Sequence, residues 1–267
     1  MKKINIYPVN FAGGKGVTNK TPKHFGWDFN SKKNDISFYV DGGFRQGLED
    51  TDDKKLKFLW TVESPYFNGE VFNYIKNNLD QILSTFELIF TYNEELLDLH
   101  EKFKMVPANG TWIQESEIYK KTKLVSMIVS NKVGTPNQNF RYEFAKNNIK
   151  NIDVFGRGFN EIPKKEIGLN DYMFSVCVEN ATFNGYFTEK ILDCFATGTI
   201  PIYLGSKKIT KHFDENGIIF LDDFDFSKLN SELYQSKINS IHKNYNECMK
   251  FVCPEDFMYE NYLNKYF

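Results

Sequence analysis

Cysteine is scarce in this chain: there are four in 267 residues, Cys177, Cys194, Cys248 and Cys253, none in a Cys-x-x-Cys pair or at ligand spacing from a histidine. That excludes a disulfide scaffold and a zinc site of the common spacings, and the four thiols are expected to be buried and chemically idle. The four histidines, His24, His100, His212 and His242, fall in no motif. No apolar run approaches the roughly 20 residues of a membrane span. The opening MKKINIYPVNF has two lysines but no apolar stretch of leader length. A soluble, cytoplasmic protein with no signal peptide and no transmembrane segment is therefore expected. Surplus charge is missing too: 33 Lys and Arg oppose 35 Asp and Glu, a net charge of -2. Broad nucleic-acid binding needs a basic surplus to displace counterions, so that class of partner is excluded. No internal repeat recurs at a fixed period.

Aromatic residues, by contrast, are abundant: 26 Phe, 15 Tyr and 3 Trp make up 16% of the chain. Core packing accounts for most of them and leaves a few for stacking on a sugar or a base. With 41% hydrophobic and 25% charged residues the composition is that of a globular chain able to bury a sizeable core. The length fits one large domain or two small ones.

Hydrophobic periodicity reads as a strand at 4–9, a Gly, Asn and Lys-rich loop, a strand at 36–40 and a buried strand at 55–64 (KLKFLWTVES). A helix is predicted over 70–86, where Val71, Tyr74, Ile75, Leu79 and Ile82 recur at helical spacing, then a strand at 87–92. A second helix over 93–103 has Asn93 as its N-cap. Periodicity is lost at 106–122, which places a hinge there. Strands at 124–130, 151–158, 172–180 and 199–206 follow, with helices over 139–148 and 188–198 and Gly198 at C′. Near the end, Tyr259, Tyr262, Leu263 and Tyr266 share one face that can pack back across the first half. Alternating strands and helices imply parallel sheets flanked by helices, and ligands in such sheets sit beyond the carboxyl ends of the strands.

Two glycine motifs in those loops are weak. GGKGVTNK (13–20) lacks the Gly-Lys-Ser/Thr order of a phosphate loop and reads as a surface loop; FGRGFN (155–160) lacks the third glycine and the ribose-binding acid, and reads as a turn bringing backbone close to something. ENATFNGYFTEK (179–190) carries more information. Thr188 is placed to cap a helix whose first turn holds Glu189 and Lys190. A helix N-terminus with a lysine suits a phosphate, and the glutamate would need hydroxyl donors beside it. By spacing alone an ordinary cap with a solvated lysine serves equally well.

The stretch YMFSVCVENATFNGYFTEKILDCFATGTIPIYLGS resembles the signature of glycosyltransferase family 10, the α-1,3-fucosyltransferases: a strand, Glu-Asn-Ser/Thr, a loop, Tyr-Val-Thr-Glu-Lys, a helix, then Val/Ile-Pro-Ile/Val-Tyr-Trp-Gly. VSNKVGTPNQNFRYEF, IDVFGRG and WTVESPYF resemble further segments of that family, so the likeness runs in pieces over about 60–220. Ala181, Gly185, Phe187 and Leu204 depart from the usual residues, and none of these changes removes a charge.

The resemblance implies an α/β protein of GT-B architecture, with two facing Rossmann-like domains and a cleft between them. In this reading residues 1–115 form an acceptor-side domain, 122–245 a nucleotide-sugar domain, and 246–267 a helical segment packing back on the first. It implies an inverting transfer of L-fucose from GDP-fucose to a hydroxyl of a glycan acceptor, of the kind made by soluble bacterial or viral enzymes. Arg141 and Lys190 match the cations on the diphosphate, Asn131, Gly156, Asn180, Tyr186 and Glu189 complete the donor site, and Glu63 matches the general base. No cofactor is expected beyond the donor, and no metal: no Asp-X-Asp signature is present, and Asp222-Asp223 reads as a loop after a strand. Trp60 and Trp112 read as packing residues, while Glu49, Asp50 and the DGGF loop at 41–44 are alternatives for the acceptor side. A relative using another nucleotide sugar, and a non-catalytic nucleotide-sugar or glycan-binding module, are the competing readings.

Overall fold

The computed structural model describes residues 1–7 and 20–267, except for the side chain of Asp223. The expected strand end at 8 and 9 and the loop from Gly13 to Asn19 lie outside the described residues. The chain forms two compact units. The first comprises Met1–Gly110, Phe183–Tyr186 and Cys253–Phe267, and the second Thr111–Thr182 and Phe187–Val252. The sequence reading started the C-terminal return at 246, whereas residues up to Val252 belong to the second unit; the excursion at Phe183–Tyr186 had no counterpart in that reading.

The first unit runs through β1 (Lys2–Tyr7), β2 (Phe25–Phe29), β3 (Ile36–Val40), α1 (Phe44–Glu49), β4 (Leu56–Trp60), α2 (Pro65–Asn77), α3 (Leu79–Thr85), β5 (Leu88–Thr91), α4 (Glu94–Leu97) and β6 (Phe103–Met105). Its six strands are all parallel, in the order β2-β1-β3-β4-β5-β6. Alternation along each strand divides the apolar residues between two faces. Ile36, Phe38, Val40, Phe58, Trp60 and Phe90 enter one core, while Tyr39, Leu59 and Ile89 enter the other beneath the helices. Both faces are covered, as a parallel sheet requires.

Three local expectations change. The single helix expected over 70–86 is two helices: α2 begins earlier, with Pro65 in its first turn, and ends at Asn78, whose N–H and side-chain amide both donate to the Tyr74 carbonyl (2.9 and 3.1 Å). The helix expected over 93–103 is one turn, capped by Asn93 Oδ1 accepting from the Leu96 N–H, after which the chain re-enters the sheet as β6. FGWDF, read as loop, is the edge strand β2, paired to β1 in register Lys2 to Phe25.

The second unit holds β7 (Lys123–Ile128), α5 (Pro136–Asn148), β8 (Asp153–Phe155), β9 (Tyr172–Val178), α6 (Glu189–Ala196), β10 (Ile200–Leu204), β11 (Ile219–Phe220), α7 (Ser231–Ser236) and α8 (Ile238–Cys248). Its parallel sheet has the order β11-β10-β9-β7-β8. The chain then returns to the first unit through α9 (Pro254–Met258) and further single turns. Met258 and Leu263 are fully buried in the first-unit core, with Tyr259, Tyr262 and Tyr266 packed against it. Much of the aromatic content is spent in that core: Phe38, Phe58 and Phe90 are in mutual ring contact, and Tyr266 and Tyr262 close over Phe58 and Phe90. The α/β class and the two successive Rossmann-like units of a GT-B chain are what the protein adopts.

Candidate active site

In each sheet the first strand lies inside, with its successors laid down on opposite sides. That reversal creates a crevice at the carboxyl ends of the two strands flanking it, the usual ligand position in open parallel sheets. In the second unit those strands are β7 and β9. Val129, Ser130 and Asn131 follow β7, and Glu179 and Asn180 follow β9.

Six of the seven expected donor-site residues meet at or near this point. Arg141 projects from α5, a helix capped by Thr135, whose hydroxyl accepts from the Gln138 N–H and donates to the Asn180 carbonyl (2.7 Å). The Arg141 guanidinium, nearly buried, donates to Asn180 Oδ1 (3.0 Å) and to Ser130 Oγ (3.4 Å). Asn131 is exposed, and its N–H donates to the Arg157 carbonyl (2.9 Å). Gly156 has a φ of 110°, and a Cβ there would lie 2.1 Å from the Val129 carbonyl oxygen. This is the close backbone approach that the glycine turn implied.

Lys190 and Glu189 open α6 beside them. Thr188 caps this helix and is itself gripped by Glu179, a fully buried carboxylate that accepts from the Thr188 N–H (2.9 Å) and hydroxyl (2.6 Å). Lys190 Nζ lies 3.0 Å from Thr188 Oγ1, 3.2 Å from Glu189 and 3.5 Å from Glu179. Glu189 also faces Lys165 (3.6 Å), which pairs with Asp193 at 2.7 Å. Asp193 in turn accepts from the Thr111 hydroxyl and the Trp112 N–H, both at 2.7 Å. The array thus alternates carboxylate and ammonium from Glu179 to Asp193.

Burial works against charge throughout the array; it prevails at the two ends, where it pushes the Glu179 and Asp193 carboxyls up, and pairing prevails between them. Burial alone would drive Glu189 up, but Lys190 and Lys165 hold it down at about 2. Burial opposes the charges of Lys190 and Lys165, yet the facing carboxylates raise both ammonium groups above their ordinary value. Arg141 is close enough to Lys190 to act against its protonation. Such an array holds cations fixed in a site of low polarity, where they stabilise charge developing on a leaving anion without reorganisation.

Glu179, Lys165 and Asp193 were not singled out by sequence reasoning. Glu179 stood in view as the first residue of the signature, whereas Lys165 sits in an unremarkable KKEIG stretch 24 residues before Glu189. Trp112, read as packing, is half-exposed under the Lys165 ammonium, 5.1 Å from its ring centroid; Trp60 is a fully buried core residue.

Tyr186 is placed differently from the other donor-site candidates. Its ring is buried in the first unit, 5.0 Å from that of Tyr92. Gly185 beside it has a φ of 82°, and a Cβ there would lie 2.2 Å from the Tyr92 carbonyl oxygen. That contact explains one departure from the family pattern, because a side chain at 185 would collide with backbone.

Glu63 follows β4 in the first unit and is exposed. Its N–H faces the Asp41 carboxyl at 3.3 Å, and its carbonyl accepts from the Tyr92 hydroxyl at 2.9 Å. Asp50, an alternative acceptor-side residue, accepts from the Tyr39 hydroxyl (2.6 Å) and pairs with Lys55.

Among the described residues no three His, Cys, Asp or Glu side chains are arranged to hold a metal ion. Asp222 pairs at the surface with Lys207. All four cysteines are buried and unpaired. No helix of the described residues is long and apolar enough to cross a membrane.

Comparison with known proteins bears on the family of the chain. The C-terminal model of glycosyltransferase family 10 (fucosyltransferase) matches residues 118–257. The α-(1,3)-fucosyltransferase FucT of Helicobacter pylori is 34% identical over 151 residues, which cover 54% of this chain and 28% of that enzyme. The chain thus matches under a third of its curated relative's length. A solved α1,3-fucosyltransferase with GDP-fucose is similar over 94% of this chain and 81% of its own, at 19% identity and a TM-score of 0.49. The family match takes in just over half of the 267 residues, including α5, the signature strand and α6, and on that ground the chain belongs to glycosyltransferase family 10.

Proposed function

We infer that the chain is a fucosyltransferase that moves L-fucose from GDP-fucose to a hydroxyl of a glycan acceptor, with inversion at the transferred carbon. The observation that carries this reading is the pair of cations, Arg141 and Lys190, held at the carboxyl end of the second sheet beside Asn180 and Glu189. A nucleoside diphosphate sugar needs two things from its enzyme: neutralisation of the diphosphate as the sugar bond breaks, and removal of the acceptor proton.

In this mechanism Arg141 and Lys190 take up the negative charge of the departing diphosphate. Asn180 fixes the Arg141 fork, and Glu189, ionised between two lysines, accepts hydrogen bonds from donor hydroxyls. Glu63 removes the proton from the attacking hydroxyl, whose oxygen forms the new bond to the sugar carbon as GDP departs from the opposite face. The cations do the work that a divalent metal does in other transferases, so activity is expected to survive chelation.

Steady-state assays with GDP-fucose and a panel of glycan acceptors test this reading. Arg141→Ala and Lys190→Ala should each lower kcat/KM by about 100-fold or more, the size of effect expected when one fixed donor to developing charge is removed. Full activity in either variant would refute the assignment. Selective thermal stabilisation by GDP over UDP and dTDP should accompany turnover. A selective UDP or dTDP response would replace the donor, and GDP binding without turnover would turn the chain into a binding module.

A further inference from the structure

In the first unit the sheet reverses between β1 and β3, so its crevice lies where β3 ends. Asp41 is the residue there. Its backbone occupies the left-handed region, with a φ of 49°, a conformation uncommon for any residue other than glycine and tolerated best by Asn and Asp. Its carboxyl is nearly buried, at 7% exposure, and it points at the loop after the neighbouring strand β4. Oδ1 accepts from the Val62 N–H at 2.8 Å, and Oδ2 faces the Glu63 N–H at 3.3 Å. From the next strand along, β5, Tyr92 donates its hydroxyl to the Glu63 carbonyl at 2.9 Å. Three consecutive parallel strands therefore end in groups that meet on one peptide segment, and that segment carries Glu63.

Neither contact is needed by the sheet. The ladder ends at Val40, Trp60 and Thr91, and the amide of the exposed Glu63 could equally bond to water, while the buried Val62 amide relies on Asp41. A left-handed, buried carboxylate that serves two loop amides and the Asn68 side chain weakens the fold when burial outweighs those bonds, and such local cost collects where function fixes geometry. Asp41 cannot itself reach a substrate hydroxyl, being buried, whereas Glu63 is exposed. Tyr92 also carries the signature segment: its ring packs on Tyr186 and its carbonyl lies under Gly185.

We propose that Asp41 and Tyr92 are positioning residues that clamp the Glu63 main chain, Asp41 on its N–H and Tyr92 on its carbonyl, and so aim the Glu63 carboxylate at the acceptor hydroxyl. The inference rests on Glu63 being the general base. Its support is the convergence of both groups on Glu63 from strands on either side. Burial, opposed by the Val62 and Glu63 amides, pushes the Asp41 carboxyl up to about 7. The titratable groups facing it are Glu63 and Tyr92. Below that pH Asp41 gains a proton, one oxygen becomes a donor, and the grip on the Glu63 amide loosens.

Tyr92→Phe removes one oxygen and leaves the ring, so it separates clamping from packing. The expected result is a fall in kcat of roughly tenfold, the scale on which small misplacements of a reacting group are felt, with the KM for GDP-fucose unchanged. Asp41→Asn keeps size and tolerance of the left-handed backbone. It should lower kcat to a similar degree and abolish the limb of the kcat–pH profile near 7. Its stability should move the other way. A folded carboxyl that holds its proton to about pH 7, against 3.8 unfolded, makes the folded state bind more protons in that window, so stability falls as pH rises through it. Asn carries no such cost, and Asp41→Asn should melt higher than the wild type at pH 8; a purely structural carboxylate would give the reverse. Glu63→Gln is the reference variant. If it is inactive while both clamp variants keep wild-type kcat, the clamp is wrong and the base reading stands. If Glu63→Gln stays active, the base reading fails and the clamp fails with it.

Discussion

Lys165 shows how one side chain without a sequence signature can govern the electrostatics of a site. It is the sole ammonium within 4 Å of Asp193 among the described residues, and it shares Glu189 with Lys190. Replacing it by methionine keeps most of the stem and removes the charge. Asp193, whose side chain is only 2% exposed, would then carry an unpaired charge, at a cost of about 3 kcal/mol. Burial already pushes the Asp193 carboxyl up, and without the lysine it would rise further. A folded acid with a raised pKa binds more protons than the unfolded one, so stability falls as pH rises. Denaturant unfolding of Lys165→Met should show a larger loss at pH 8 than at pH 5.5. An equal loss at both would mean that Asp193 is not the group left stranded.

At the scale of elements, the site is made by turns that only particular residues allow. The turn after β8 needs Gly156, since its φ of 110° and the 2.1 Å approach to the Val129 carbonyl leave no place for a side chain. Gly156→Ala should cost about 2 kcal/mol for the strained backbone and displace the loop at the end of β7, where Ser130 accepts from Arg141. The readout is a lower melting temperature together with a smaller stabilisation by GDP. A lower melting temperature with an unchanged GDP response would confine Gly156 to a folding role. The α6 cap follows the same logic: Thr188 was legible from its spacing, whereas the acid that holds it, Glu179, had no visible partner until β9 and α6 were placed together.

For the molecule as a whole, the last fifteen residues complete a core begun at the other end of the chain. Met258 and Leu263 are fully buried with Ile4, Phe38 and Phe90, and the Trp27 indole donates to Glu255 at 3.2 Å. Met258→Ala should therefore lower the unfolding free energy by about 3 kcal/mol, in the range of buried large-to-small changes. Little change in a denaturant titration would show that α9 can leave the first sheet without consequence. Ligand linkage acts on the same observable: GDP at 100 times its dissociation constant should add about 2.7 kcal/mol. Arg141→Ala and Lys190→Ala should reduce that gain.

Much of this protein was legible in one dimension, because strand alternation, helix periodicity and caps are local. The parallel α/β class, most strands, the Asn93 and Thr188 caps and the Gly198 helix end follow from neighbours a few residues apart. So does the linear order of the family-like segments, with Arg141 in the upstream one and Asn180, Glu189 and Lys190 in the signature itself. Local reading failed where distant contacts overrule propensity. FGWDF is a strand because β1 lies beside it, the 70–86 periodicity breaks because Asn78 turns back on Tyr74, and residues 103–105 leave a helical pattern to complete the sheet. The tertiary structure alone placed Tyr186 in the first unit's core, brought Lys165 to Glu189, and set Asp41 and Tyr92 on the Glu63 backbone. Those pairs are separated by more than 20 residues in sequence, and only the packing of strands, turns and helices places them within hydrogen-bonding or packing distance.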